Sequence, residues 1–310
     1  MDLVIQAPAI SAADLDAIAK LAGTREITSL AAGRSPALRE AKPGAADRNE
    51  ALTEPNPGAE TGRGPHAYRL LGVESRNGIA EFCATAAIDH AFVAADLARA
   101  RVRVVAMDMD STLITIECID EIADLQGIKP QVATITAAAM RGEIDFKESL
   151  TRRVALLAGL PVAALQRVYD ERLRLSPGAV RMLAGFKAVG ARTLLVSGGF
   201  TFFTDRLQAR LAFDETASNS LEIADGRLTG RLVGAIVDAR EKAARLTALR
   251  QRLCGNDGIA VAIGDGANDL PMLAAADVSV AYHAKPVVRA RATCAIDPCG
   301  LDAVLNLFAD

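Results

Sequence analysis

The 310 residues exceed the usual size of a single core, so one large domain plus a smaller one is the starting expectation. The composition is 51% hydrophobic, yet no unbroken apolar run is long enough to cross a bilayer, which sets membrane insertion aside. A net charge of −3, scattered Lys and Arg and only 4% aromatics supply neither the basic stripe nor the stacking platforms of nucleic-acid binding, so no nucleic-acid partner is expected.

Met1-Asp2-Leu3-Val4-Ile5 carries an acid where a signal peptide needs bases, and the apolar segment is too short for export. The five cysteines (Cys83, Cys118, Cys254, Cys294, Cys299) are odd in number, form no C-x-x-C pair and sit mostly in apolar stretches, as suits a reducing compartment. A cytoplasmic location is the expectation.

Along the chain, Leu3 to Ala7 is a short apolar run, Ser11 can cap a helix through Lys20, and Glu26 to Ala31 alternates weakly like a strand. From about Gly33 to Pro65 the chain is dense in Pro, Gly and polar residues and reads as a mobile loop. Tyr68 to Val73 resumes as a strand, and Gly78 to Ala100 carries apolar residues at helical spacing. Residues 1–100 therefore read as a small α+β domain.

From Arg101 onward strand-like runs alternate with helical stretches, the pattern of a parallel sheet wrapped by helices. Three runs end in polar clusters: Val102 to Met107 in Asp108-Met109-Asp110-Ser111-Thr112, Arg192 to Val196 in Ser197-Gly198-Gly199, and Ile259 to Ile263 in Gly264-Asp265-Gly266-Ala267-Asn268-Asp269. Carboxyl ends of parallel strands are where such sheets bind ligands, so the three clusters are candidates for one site. Between them, 113–176 shows helical periodicity without strand signal and reads as a helical cap, while Asn219 to Val233 alternates around Asp225-Gly226 like a hairpin.

Asp108 and Asp110 can be aimed into one pocket, although an isolated acidic pair after a strand is more often a turn former. Asp265 and Asp269 add hard oxygen donors of the kind Mg²⁺ takes. Gly264-Asp265-Gly266 is not a dinucleotide-binding loop, because Asp269 stands where the third glycine is required. Ser197 and its two glycines would let backbone N–H groups approach an anion, or form an ordinary turn; Lys242 by itself reads as a solvated helix lysine. No cysteine has the Arg six residues on that a cysteine phosphatase needs, His66, His90 and His283 are isolated, and the G-x-x-x-x-G-K-[ST] loop is absent. An aspartate remains as candidate nucleophile, with metal and lysine neutralising phosphate charge.

The quartet of DMDST at Asp108, SGG at Ser197, Lys242 and GDGAND at Gly264, in that order, resembles the haloacid dehalogenase-like superfamily of phosphohydrolases. Glu117 in IECIDEIA, the MRGEIDFKESLTRRV stretch with Phe146 and Arg153, and GGFTFF at Gly198 are similar to the phosphoserine phosphatase family within it. The resemblance covers about Val102 to the C-terminus, whereas residues 1–100 are at best distantly similar to the small regulatory or dimerising domains that often precede this fold.

The resemblance implies a Rossmann-like core with a helical cap after its first strand, across 101–310. It implies Asp108 as nucleophile, Asp110 as acid and base, and Mg²⁺ on Asp108, the Asp110 backbone carbonyl and Asp265, with Asp269 supporting them. Ser197, Gly198, Lys242 and Asn268 would hold phosphate and substrate, Glu117 and Arg153 the ammonium and carboxylate of an amino acid, and Phe146 would cover it. O-phosphoserine is the implied substrate, which would place the reaction at the end of L-serine biosynthesis, in a possible homodimer. Another phosphometabolite, phosphotransfer to serine, or a silent metabolite-binding regulator are the alternatives.

Overall fold

The computed structural model describes residues 1–30, 66–255 and 257–310, so the stretch read as a mobile loop lies outside the described residues. The chain forms two compact units.

The first unit gathers Met1–Arg101, Pro177–Val189 and Thr293–Asp310. Its elements begin β1 (Asp2–Ala7), α1 (Ala12–Ala22), β2 (Ile27–Ser29), β3 (His66–Leu70), α2 (Ile79–Thr85) and β4 (Asp89–Val93). Ser11 caps α1 through its hydroxyl, which accepts from the Asp14 backbone N–H at 3.1 Å while the Asp14 carboxylate returns the favour to Ser11 N–H. The antiparallel sheet runs β2-β3-β1-β4, and Leu3, Ile5 and Leu70 bury against Ile18, Ala22, Ile79 and Cys83 of the two helices.

Every residue of β1 is buried, its polar ones with partners: Asp2 pairs with Arg69 at 3.4 Å, and Gln6 accepts from the Asn306 side chain at 2.9 Å. Arg69 also donates to the Leu307 carbonyl at 3.0 Å.

The helical spacing read across Gly78 to Ala100 resolves differently. Helix α2 ends at Thr85, Ala87 takes a left-handed conformation (φ +52°), and the chain turns into β4. Asp89, Ala91 and Val93 face inward there, and buried Asp89 hides the apolar alternation that would have marked a strand.

The second unit holds Val102–Ser176 and Gly190–Ala292. In chain order come β5 (Val102–Met107), α3 (Cys118–Leu125), α4 (Lys129–Met140), α5 (Phe146–Ala155) and α6 (Ala163–Arg167), then α7 (Ala179–Ala188) of the first unit. There follow β6 (Arg192–Phe200), α8 (Thr201–Leu211), β7 (Glu215–Ala224), β8 (Arg227–Val233), α9 (Ala239–Leu253), β9 (Ile259–Gly264), α10 (Leu270–Ala274), β10 (Val278–Tyr282) and α11 (Pro286–Arg289). β11 (Cys294–Ile296) again belongs to the first unit.

The strands of the second unit lie in the order β10-β9-β5-β6-β7-β8, parallel except for the β7–β8 hairpin. β9 and β10 are buried throughout, as strands covered on both faces must be. Because β5 lies between β6 and β9, the three polar clusters emerge side by side.

The cap consists of α3 to α6. Its two stalks pair with each other, Thr115 N–H donating to Arg174 O at 3.0 Å and Ser176 N–H to Leu113 O at 2.9 Å. The hairpin grips it as well: Gly159 N–H donates to Leu228 O at 2.8 Å, Leu228 N–H returns to Leu160 O at 2.8 Å, and Val162 N–H reaches Gly226 O at 3.0 Å. The two excursions read separately from the sequence thus support one another.

Candidate active site

Asp108 follows β5 directly, and its own N–H donates to Ile263 O of β9 at 3.1 Å, fixing where the side chain begins. Its Oδ1 accepts from Met109 N–H at 2.6 Å, and its Oδ2 lies 2.8 Å from Lys242 Nζ. The chain then turns tightly through Met109–Leu113, with Ser111 in the left-handed region at φ +54°. That turn lets Asp110 join Asp108 in the same pocket. It also lets Ser111 donate its hydroxyl to Glu117 Oε1 at 2.8 Å, and Thr112 to Asp265 Oδ1 at 3.1 Å.

Lys242 is 1% exposed rather than solvated. Asp238 caps the start of α9, accepting from Arg240 N–H at 2.9 Å and Glu241 N–H at 3.0 Å, and one turn later Lys242 points inward between Asp108 and Asp269, 2.8 Å from each. Asp269 Oδ2 accepts from Gly266 N–H at 3.0 Å. Glycine is required at 264, where a Cβ would meet Asp269 Cγ at 2.6 Å.

Ser197 to Gly199 do not end their strand as the sequence suggested. The β6–β7 register jumps between Val196 opposite Ala217 and Phe200 opposite Asn219, so the serine and glycines bulge out of the ladder and pairing resumes beyond them. Gly199 N–H donates to Ser197 Oγ at 2.9 Å. A Cβ on Gly199 would lie 2.8 Å from Met109 Cε and 3.2 Å from Asp110 Oδ2, so a larger residue there would have to displace the methionine tip and crowd the acid. On the cap side Phe146 covers Gly198, where a Cβ would stand 3.0 Å from its Cζ, and Lys147 pairs with Asp238 at 3.1 Å.

Oxygens of Asp108, Asp265 and Asp269 come within 4.8 Å of one another. Burial and the charge of Asp269 push Asp108 well above the ordinary carboxylate range, with Lys242 opposing. Burial, then the charge of Glu117, lift Asp110 to about 7, and burial with Asp269 lifts Asp265 to about 6. For Lys242 burial favours loss of the proton, but Asp108 and Asp269 outweigh it and hold the ammonium charged. One buried cation thus serves a surplus of carboxylates, and Asp110 Oδ1 is buried without a hydrogen-bond partner. An all-oxygen set short of positive charge fits a hard divalent cation.

Glu117 is open to solvent on one side, yet surrounding protein and then Asp120 raise its pKa, against the Ser111 hydrogen bond, Arg153 and Lys285. Arg153 is half-buried, pulled down by burial against the charges of Asp120, Glu117 and Asp110, and its Nε donates to Ser149 O at 3.4 Å. No ion pair joins Glu117 to Arg153 among the described residues. Asn268 is half-buried on the loop after β9, its side chain against Gly266.

Several contributors carry no signal of their own in the sequence. Ser111 and Thr112 hold Glu117 and Asp265, Cys118 is a hydrogen-bonding neighbour of Asp110, and Asn219 bonds the Gly198 carbonyl. Thr112 acts on a group more than a hundred and fifty residues away, and Asn219 on the main chain of another strand.

Residues 105–274 match the family described as haloacid dehalogenase-like hydrolase, and residues 3–50 a domain of unknown function, DUF4072. A phosphoserine phosphatase of Polaromonas sp. is 56% identical over 221 residues, 68% of this chain and 92% of that protein. Among solved structures, a probable phosphoserine phosphatase from Vibrio cholerae in unliganded form has a TM-score of 0.75 at 32% identity, covering 99% of this chain and 85% of that one. A HAD family hydrolase from Salmonella enterica serovar Typhi has a TM-score of 0.81 at 31% identity, covering 100% and 99%.

Proposed function

The chain belongs to the haloacid dehalogenase-like hydrolases, and from that premise we propose that it hydrolyses O-phospho-L-serine to L-serine and inorganic phosphate through an aspartyl phosphate on Asp108. The observation that carries this reading is the position of Asp108, held by Lys242 at 2.8 Å with a second carboxyl group two residues on. Its 56% identity to a phosphoserine phosphatase supports the substrate.

In the first half-reaction a carboxylate oxygen of Asp108 attacks phosphorus and the bond from phosphorus to the seryl oxygen breaks. Asp110, raised to about 7, holds a proton for the departing oxygen beneath the cap. In the second, Asp110 takes a proton from the water that attacks the aspartyl phosphate, which releases phosphate and restores Asp108. Lys242 neutralises phosphate charge, and Ser197, Gly198 and Asn268 hold the phosphate and substrate. Mg²⁺ on Asp108, Asp265 and the Asp110 carbonyl, with Asp269 supporting, supplies further charge neutralisation when bound.

Glu117 takes the substrate ammonium and Arg153 its carboxylate, while Phe146 excludes water. The place of the reaction is the last step of L-serine formation, in the cytoplasm, where five free and buried thiols are at home. Among the described residues no helix is long and apolar enough to cross a membrane. Residues 1–100 are read as a regulatory or dimerising domain ahead of the catalytic domain at 101–310.

The test is phosphate release from O-phosphoserine, phosphoethanolamine, phosphoglycolate and sugar phosphates, with and without Mg²⁺, with Asp108→Asn as control. O-phosphoserine should be the best substrate, and Asp108→Asn should lower turnover at least about a thousandfold. Equal turnover of phosphoserine and phosphoethanolamine, which lacks the carboxylate, would refute the substrate; phosphate recovered on a serine or histidine would refute the mechanism.

A further inference from the structure

Asn219 is 2% exposed and spends both ends of its side-chain amide on main-chain groups from different elements. Its Nδ2 donates to the Gly198 carbonyl at 2.8 Å, and its Oδ1 accepts from Val237 N–H at 2.8 Å. Val237 directly precedes Asp238, the residue that starts α9 and so aims Lys242. One side chain therefore ties the glycine bulge of β6 to the helix that carries the buried lysine.

The chemistry of this tie follows from the planarity of the peptide bond. In a trans peptide the C=O and the N–H point to opposite edges of one plane. By fixing the Gly198 carbonyl, Asn219 also fixes the direction of Gly199 N–H on the other edge, where it meets Ser197 Oγ at 2.9 Å near Asp110. Gly198 and Gly199 have no side chains to lock that plane themselves, and the register jump has removed the ladder around them.

We propose that Asn219 is a positioning residue that orients the Gly198–Gly199 peptide and sets its distance from Lys242, so that Gly199 N–H holds Ser197 Oγ, and the serine hydroxyl and the ammonium converge on one phosphate group. The inference deepens the proposed function, on which it rests for the identity of the anion. Asn219 touches neither phosphate nor the reacting atoms; it works through main-chain groups.

The experiment is titration of inorganic phosphate, followed by calorimetry in the presence of Mg²⁺, into wild type, Asn219→Asp, Asn219→Ser and Thr204→Ala. Aspartate sets an oxygen against the Gly198 carbonyl and serine loses both bonds, so each should raise the phosphate Kd at least tenfold, with turnover of O-phosphoserine falling alongside. Thr204 is a control: it is buried and bonds Ser218 at 2.7 Å, and its loss should cost stability while leaving the phosphate Kd within twofold.

Folded Asn219 variants that bind phosphate like wild type would overturn the proposal. So would Thr204→Ala weakening phosphate as much, since that would mark general loosening. A reading that needs no variant is the amide chemical shift of Gly199 in wild type: saturating phosphate should move it, and an unmoved signal overturns the proposal. Phosphate binding by wild type without phosphoserine hydrolysis would refute the substrate reading alone, and the cradle would stand on the titration.

Discussion

The ring of Phe146 lies so close over Gly198 that a Cβ there would stand 3.0 Å from its Cζ, a contact between the cap and the bulge of β6. Gly198→Ala should therefore destabilise the protein by about 1 to 3 kcal/mol, the cost of overpacking. Adding Phe146→Ala should relieve much of this, so the double variant costs less than the sum of the singles. Urea denaturation of the four proteins measures the coupling, and strict additivity would show that the two residues do not press on one another.

Arg153→Ala probes the cap separately from the phosphoryl chemistry. If Arg153 binds the substrate carboxylate, its loss should cost about 2 to 5 kcal/mol in kcat/KM for O-phosphoserine. An aryl phosphate, with no carboxylate, should be affected far less. Comparable losses on both substrates in a steady-state assay would assign Arg153 to the fold or the phosphate site.

Cation binding can be read without activity. An ion that binds the folded state stabilises it by about 2.7 kcal/mol at a hundred times its Kd. Mg²⁺ should accordingly raise Tm, and Asp265→Asn, which removes one of three converging carboxylates, should abolish most of the increase. An unchanged Mg²⁺ response in that variant, followed by scanning calorimetry, would place the ion elsewhere.

Asp214 offers a stability test away from the site. Burial raises its pKa, but hydrogen bonds from Thr193 N–H at 2.8 Å and Thr193 Oγ1 at 2.9 Å, together with Arg192, prevail and hold it below its ordinary value of 3.8. A carboxylate so depressed contributes stability above the unfolded pKa and loses it as pH falls through the folded one. Asp214→Asn should thus cost about 1 to 2 kcal/mol at pH 7, and the gap to wild type should shrink below about pH 4. A gap constant across that range in chemical denaturation would rule out the charge as its source.

The parts of this molecule legible in its sequence are those whose signal is local. Asp108, Ser197 and Asp265 each come after a buried apolar run towards the carboxyl end of a strand, and a parallel sheet brings those ends together whatever the length of chain between them, even though β6 runs on through Phe200. The β7–β8 hairpin was marked by Asp225-Gly226, whose residues take the left-handed conformations that the turn requires.

Longer-range signals were not legible. β4 looked helical because Asp89 occupies an inward position where it accepts from Asp297 N–H at 2.8 Å and Cys299 N–H at 3.3 Å, and both lie more than two hundred residues away. Asn219 passes for an ordinary polar residue in an alternating strand until the carbonyl it holds is seen. Lys242 needed three other clusters before its burial made sense.

The first unit is assembled from pieces at the beginning, middle and end of the chain, with Asn306 and Leu307 bonding Gln6 and Arg69. During synthesis Gln6 and Arg69 must therefore wait for Asn306 and Leu307, 300 and 238 positions further on, before these polar partners arrive. Closing contacts over so great a separation is slow and leaves the side chains of Gln6 and Arg69, on the inner strands, without those partners in the meantime. Shortening the far end by a few residues should be felt first at Gln6 and Arg69, hundreds of positions away.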